Sequence, residues 1–137
     1  MKNILLFLFI ILASYSCRKD ENKQEIISDL IVQTEVSNEN IIFNVSSEKM
    51  YGTTGYEIIY CEKLRKNKIY IHFKNIKVPD AGLTVISPAI CKINLGNLDH
   101  GTYEVTFKSN NKKNKGHLYV DANVDLEIAS DGNVKTN

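Results

Sequence analysis

Apolar residues recur at every second position along most of this chain, the period of a strand with one buried face. Leu30, Val32, Thr34 and Val36 alternate with Ile31, Gln33 and Glu35. Ser37-Asn38-Glu39-Asn40 supplies turn chemistry, and Ile41, Phe43 and Val45 follow as the inward set of a second strand. Tyr56 to Leu64 is apolar on both parities and leads into a basic hairpin turn, Lys63 to Lys68. The return strand sets Ile69, Ile71 and Phe73 against Tyr70, His72 and Lys74. Thr84 to Ile86 predicts a short strand, broken by Pro88 and so suited to an edge or a bulge. Three further inward sets follow: Ala89, Cys91, Ile93 and Leu95; Tyr103, Val105 and Phe107; Leu118 and Val120. Val124, Leu126 and Ile128 make the last one, and Ser130 to Asn137 reads as a frayed tail. No stretch holds a helical period. Roughly seven or eight short strands predict one all-β domain over residues 26–129, an antiparallel β-sandwich with a small barrel as its rival.

Ahead of that domain the pattern changes. Met1-Lys2-Asn3 gives a cationic start, Ile4 to Ala13 is unbroken apolar, and Ser14-Tyr15-Ser16 leads to Cys17. Arg18-Lys19-Asp20-Glu21 then switches to charge. Residues 1–16 have the build of a secretory signal peptide. The apolar run is about half of the ~20 residues that a spanning helix needs. Residues 17–25 read as a solvated tether.

The stretch Leu12 to Cys17 resembles the lipobox of bacterial lipoproteins, in which the cysteine is diacylated and becomes the first residue after cleavage. Ser16 matches the small residue before the cysteine, while Ser14 and Tyr15 depart from the usual leucine-like and small residues. The rival is an ordinary secreted protein cut after Ala13 or Ser16. The resemblance implies lipid attachment at Cys17 and a place in the cell envelope, at the outer membrane. Each acyl methylene contributes about 0.8 kcal/mol of membrane affinity, so two or three chains on one residue would hold permanently. The run Arg18 to Glu21 also resembles the acid-and-lysine export signals of some surface lipoproteins.

Charge removes one class of partner. Of 17 basic residues Lys2 leaves with the leader, so 16 stand against 16 acidic ones. A neutral chain gives no reason to expect nucleic acid. With Cys17 acylated, Cys61 and Cys91 remain as an even pair in an oxidising compartment, the setting for a disulfide. Two buried free thiols are the alternative. No CxxC or Cys/His spacing suggests zinc.

Leu98-Asp99-His100-Gly101-Thr102-Tyr103 resembles the tyrosine corner of fibronectin type III and other immunoglobulin-like domains. The resemblance implies an immunoglobulin-like sandwich, with the Tyr103 hydroxyl bonded to backbone a few residues upstream. The tryptophan of antibody domains is absent, and the cysteine spacing is too short for their pair.

A Cys61–Cys91 bridge would turn Ile59 and Cys61 inward, and so Tyr56, Ile58 and Tyr60 outward. Joined by Tyr70, His72, His117 and Tyr119, they predict a tyrosine-rich outer face. Such a surface suits partner binding; ordinary cross-strand pairing is the competing reading. His72, His100 and His117 lie on separate segments without metal spacing, no nucleophile is paired with a base, and no phosphate loop exists. The two basic stretches, Lys63 to Lys68 and Lys112 to Lys115, suit anionic glycans or headgroups, or plain solvation. The expected function is therefore a non-catalytic envelope module without cofactor. Its partner would be a protein rather than a glycan, since tryptophan platforms are lacking. The alternative is an inhibitor of secreted proteases presenting Tyr51 to Gly55 or Asn110 to Lys115.

Overall fold

The computed structural model describes residues 22–137, so the leader, Cys17 and most of the tether lie outside the described residues. Ten strands follow in order: β1 (Lys23–Gln24), β2 (Leu30–Ser37), β3 (Asn40–Tyr51), β4 (Glu57–Arg65), β5 (Lys68–Lys77), β6 (Ser87–Gly96), β7 (Gly101–Ser109), β8 (Lys112–Val120), β9 (Val124–Ile128) and β10 (Val134–Thr136). They join in one sheet of order β10-β2-β3-β6-β4-β5-β7-β8-β9, with β1 on β5. Both β9 and β10 approach β2, so the sheet curls almost into a barrel.

The all-β expectation holds. The sheet, however, is mixed rather than antiparallel: β4·β6, β5·β7 and β10·β2 run parallel. The alternation read from sequence sets the core. Phe43, Ile69, Ile71, Phe73, Ile93, Val105, Phe107 and Leu118 are all buried. Phe107 sits at its centre, with ring centroids 5.9 Å from Phe43 and 6.0 Å from Phe73. The corner at Tyr103 forms as expected, its hydroxyl donating to the Asp99 carbonyl at 3.0 Å.

Three expectations are corrected. The tail is structured: Val134 is buried, β10 pairs with β2, and Lys135 meets Asp29 at 2.7 Å and Glu48 at 3.1 Å. The Asn114 side chain, fully buried, donates to the Ala129 carbonyl at 2.8 Å and accepts from the Val134 amide at 3.0 Å. Gly132 passes so close to Asn114 that a Cβ there would collide with the amide group. Secondly, the end of the tether is docked. Lys23 and Gln24 pair with Lys77 and Ile76, and Ile26 is buried with its carbonyl accepting from Asn110 at 2.6 Å. Thirdly, Thr84 to Ile86 is not a strand but part of an exposed loop.

Candidate functional site

The predicted tyrosine face divides in two, because β4 has the opposite parity from the one the disulfide would impose. Ile58 is buried and pairs with Ile76, while Tyr60 pairs with the buried Phe73. A bulge at Lys74, the extra residue on β5, keeps both on the inner side. Cys61 pairs with His72 and is exposed, whereas Cys91 packs against the core from β6. The two thiols therefore face opposite sides of the sheet and are free, and the expected Cys61–Cys91 bridge is not formed. Burial, with Glu57 as the lesser cause, pushes the Cys91 thiol up to about 12. Tyr56 and Tyr60 are likewise partly buried against the core instead of facing out.

Those two tyrosines and Cys91 mark the weakest seam of the sheet. β4 and β6 share one ladder position, Glu57 with Ile90, where the Ile90 amide donates to the Tyr56 carbonyl at 3.1 Å. Beyond it the strands part, and the Tyr60 hydroxyl reaches across to the Lys92 carbonyl at 3.1 Å. Burial raises the Tyr60 phenol above its ordinary value, with Glu62 and Cys91 adding to the effect. At the head of the seam lies a concavity of about 640 Å³. Gln33, Asn44 and Ser46 give it a polar floor, and Tyr56, Pro88 and Ile90 an apolar wall. Tyr56 is held in that wall by stacking on Tyr51, with centroids 4.2 Å apart.

Above the concavity two loops are laced together. The Thr54 amide donates to the Leu83 carbonyl at 3.0 Å, and the Leu83 amide to the Thr54 hydroxyl at 3.1 Å. Ser87 donates to the Thr53 carbonyl at 3.2 Å. Gly82 is required there, since a Cβ would strike the Thr54 carbonyl. The lacing leaves apolar side chains outside: Leu83 is 72% exposed, Ile86 71%, Ile90 56% and Val85 53%. The sequence carried a signal for this lip. It is a short run with three apolar residues, Leu83, Val85 and Ile86, between the turn residue Gly82 and Pro88.

Tyr70, His72 and Tyr119 do face outward, on β5 and β8, away from Tyr56 and Tyr60. His72 is held below its ordinary value by partial burial and then by Lys108 and Lys74. Tyr119 is raised by Glu127 and Asp125 beside it. Among the described residues no three His, Cys, Asp or Glu side chains gather as metal ligands. His100 and Asp121 approach to 3.2 Å, exposed. Comparison with protein-family models, curated proteins and solved structures finds no match to this chain.

Proposed function

We propose that this chain is a lipid-anchored envelope protein whose β domain is a non-catalytic binding module, engaging a protein partner at the head of the β4/β6 seam. One observation carries the reading: an exposed apolar lip, Leu83 to Ile86 with Ile90, runs through Ser87 and Pro88 into a concavity with a polar floor. Isolated exposed apolar residues need no explanation, but a contiguous set beside a cleft is the usual build of an interaction site. The immunoglobulin-like kinship belongs to the same proposal and rests on the Tyr103 corner alone. Acylation at Cys17 is checked by intact mass of protein from the native host, where an unmodified chain beginning at Met1 rejects it.

The binding site is tested by placing a photo-crosslinking residue at position 86, with position 36 as the exposed control. A discrete adduct at 86, lost in Ile90→Asp, supports the site; equal labelling at both positions rejects it. A second reading is favoured by the lacing of Thr54 to Leu83, which makes the tip rigid as a protease-inhibitory loop must be. Inhibition in a panel of secreted proteases, abolished by Leu83→Asp, would select it.

A further inference from the structure

Residues 22–137 carry as many basic as acidic side chains, yet the fold sorts their charge. Four strands, β4, β5, β7 and β8, lie side by side, and their ladders align the outward residues in rows. One row runs Cys61–His72–Lys108–Lys113. The next runs Lys63–Tyr70–Thr106–Lys115, and the third Arg65–Lys68–Glu104–His117. The two basic stretches that look like separate loops in sequence are thus brought onto one sheet surface, with Lys108 added between them. Within these four strands the rows hold one acidic residue, Glu104, which Lys68 approaches at 3.7 Å, and a second, Glu127 on β9, follows His117 at the end of the third row. Among the described residues no ion pair neutralises Lys63, Arg65, Lys108, Lys113 or Lys115. Lys108 and Lys74 stand close enough to His72 to add to the effect of burial, which is the main cause of its lowered value.

We propose that this face binds an acidic polysaccharide, a chain bearing carboxylates or sulfates. Strands ~4.8 Å apart spread the cations about 14 Å across the sheet, with ~6.8 Å between rows. That is an open, shallow surface for a linear polyanion, not a pocket for a single ion. A groove of about 310 Å³ runs along it, where Lys68, Lys113 and Lys115 outnumber the single carboxylate, Glu104, with Tyr70 and His117 beside them. The exposed Tyr70 ring at its edge offers a flat surface to a sugar. Charge, rather than tryptophan stacking, supplies the affinity, so the absence of tryptophan is no obstacle. A lipid surface fits less well. The tether joins the sheet at β1, where Lys23 pairs with Lys77 at one end of β5, and Lys68 lies at the other end of that strand, about 30 Å away at ~3.3 Å per residue. With the anchor proposed above, the cationic rows extend away from the membrane. The choice of polysaccharide over headgroups rests on that anchor; the charge geometry does not.

The test uses the full chain in solution with heparin, polygalacturonate, neutral dextran, phosphatidylglycerol vesicles and duplex DNA as probes. Heparin and polygalacturonate should bind, dextran should not, and affinity should fall steeply as salt rises. Lys108→Gln/Lys113→Gln/Lys115→Gln should weaken both glycans at least tenfold, and Lys113→Gln alone two- to fivefold. Tyr70→Ser should weaken them severalfold without changing the salt dependence. The proposal is overturned if neither glycan binds or if the lysine variants bind as the parent does. Tighter binding of vesicles or of DNA than of either glycan overturns it too. None of these readouts depends on acylation, so a failed anchor and a failed glycan site give different results.

Discussion

The sheet has two places where distant parts of the chain must meet, and they are closed in different ways. At β10/β2, parallel pairing over Val134 to Thr136 is backed by a buried amide, Asn114, that serves both Ala129 and Val134. Lys135 then ties the outer side to Asp29 and Glu48. At β4/β6 a single ladder position is followed by one tyrosine hydroxyl on one carbonyl. Closing the first seam uses groups that have no other partner once buried, so it is obligatory to the fold. The second leaves backbone edges and half-buried side chains beside a cavity, which is where a ligand can gain most by adding contacts.

The largest effect that would sharpen this contrast is expected at Asn114. Replacing it with alanine orphans the buried Val134 amide, at about 1–3 kcal/mol, and removes a further bond, worth about 0.5–1.5 kcal/mol net, from the carbonyl of the exposed Ala129. Asn114→Ala should therefore lose about 2–4 kcal/mol in denaturant unfolding, with the Val134 amide losing its protection from exchange. A loss below about 0.5 kcal/mol would mean that the tail is dispensable and that the first seam is no stronger than the second.

Cys91 reports on the second seam through pH. Its thiol ionises near its ordinary value of 9.0 when unfolded but only near 12 when folded. Above pH 9 the unfolded state holds fewer protons than the folded one, so stability should fall as pH rises, by about 1.4 kcal/mol per pH unit up to 12. Below pH 9 the group contributes no slope. Other groups titrate in that window, so the measurement is the difference between parent and Cys91→Val. Identical alkaline slopes for the two would place Cys91 in water and the seam wide open. Peptide mapping after alkylation at pH 8 should show Cys61 modified well before Cys91, since Cys61 lies exposed on the outer face.

The sequence made the two seams unequally legible. Inward sets such as Ile69, Ile71 and Phe73, or Tyr103, Val105 and Phe107, follow from period-two alternation because each strand has one wet face. The Tyr103 corner was legible for the same reason, being a local pattern closed within four residues. The β4 parity was not: Tyr56 to Leu64 is apolar at both phases, and assuming a disulfide chose the wrong one. What decides it is the bulge opposite, at Lys74, which no single strand reveals. The tail looked frayed because Gly132, Asn133 and Lys135 carry no alternation, yet their partners Asn114, Leu30 and Asp29 come from far along the chain. Likewise the basic rows depend on parallel pairing of β5 with β7, a register set by the whole fold. Pairing between remote strands was the part that composition and period could not supply.

The smallest effect is the one that separates the seams most directly. Tyr60→Phe keeps the ring against the core and removes only the hydroxyl that reaches the Lys92 carbonyl at 3.1 Å. A neutral bond of this kind contributes about 0.5–1.5 kcal/mol net, and the freed carbonyl, on an exposed residue, can turn to water. Stability should therefore drop by about 1 kcal/mol or less, with faster amide exchange along β6 and none of the change seen at Val134 in Asn114→Ala. If the seam is a binding site, the variant should also label more readily at position 86, because the strands flanking the concavity are then held only by Glu57 and Ile90. A loss as large as that of Asn114→Ala would show that β4 and β6 are joined as firmly as β10 and β2. The reason for placing a ligand between them would then be gone.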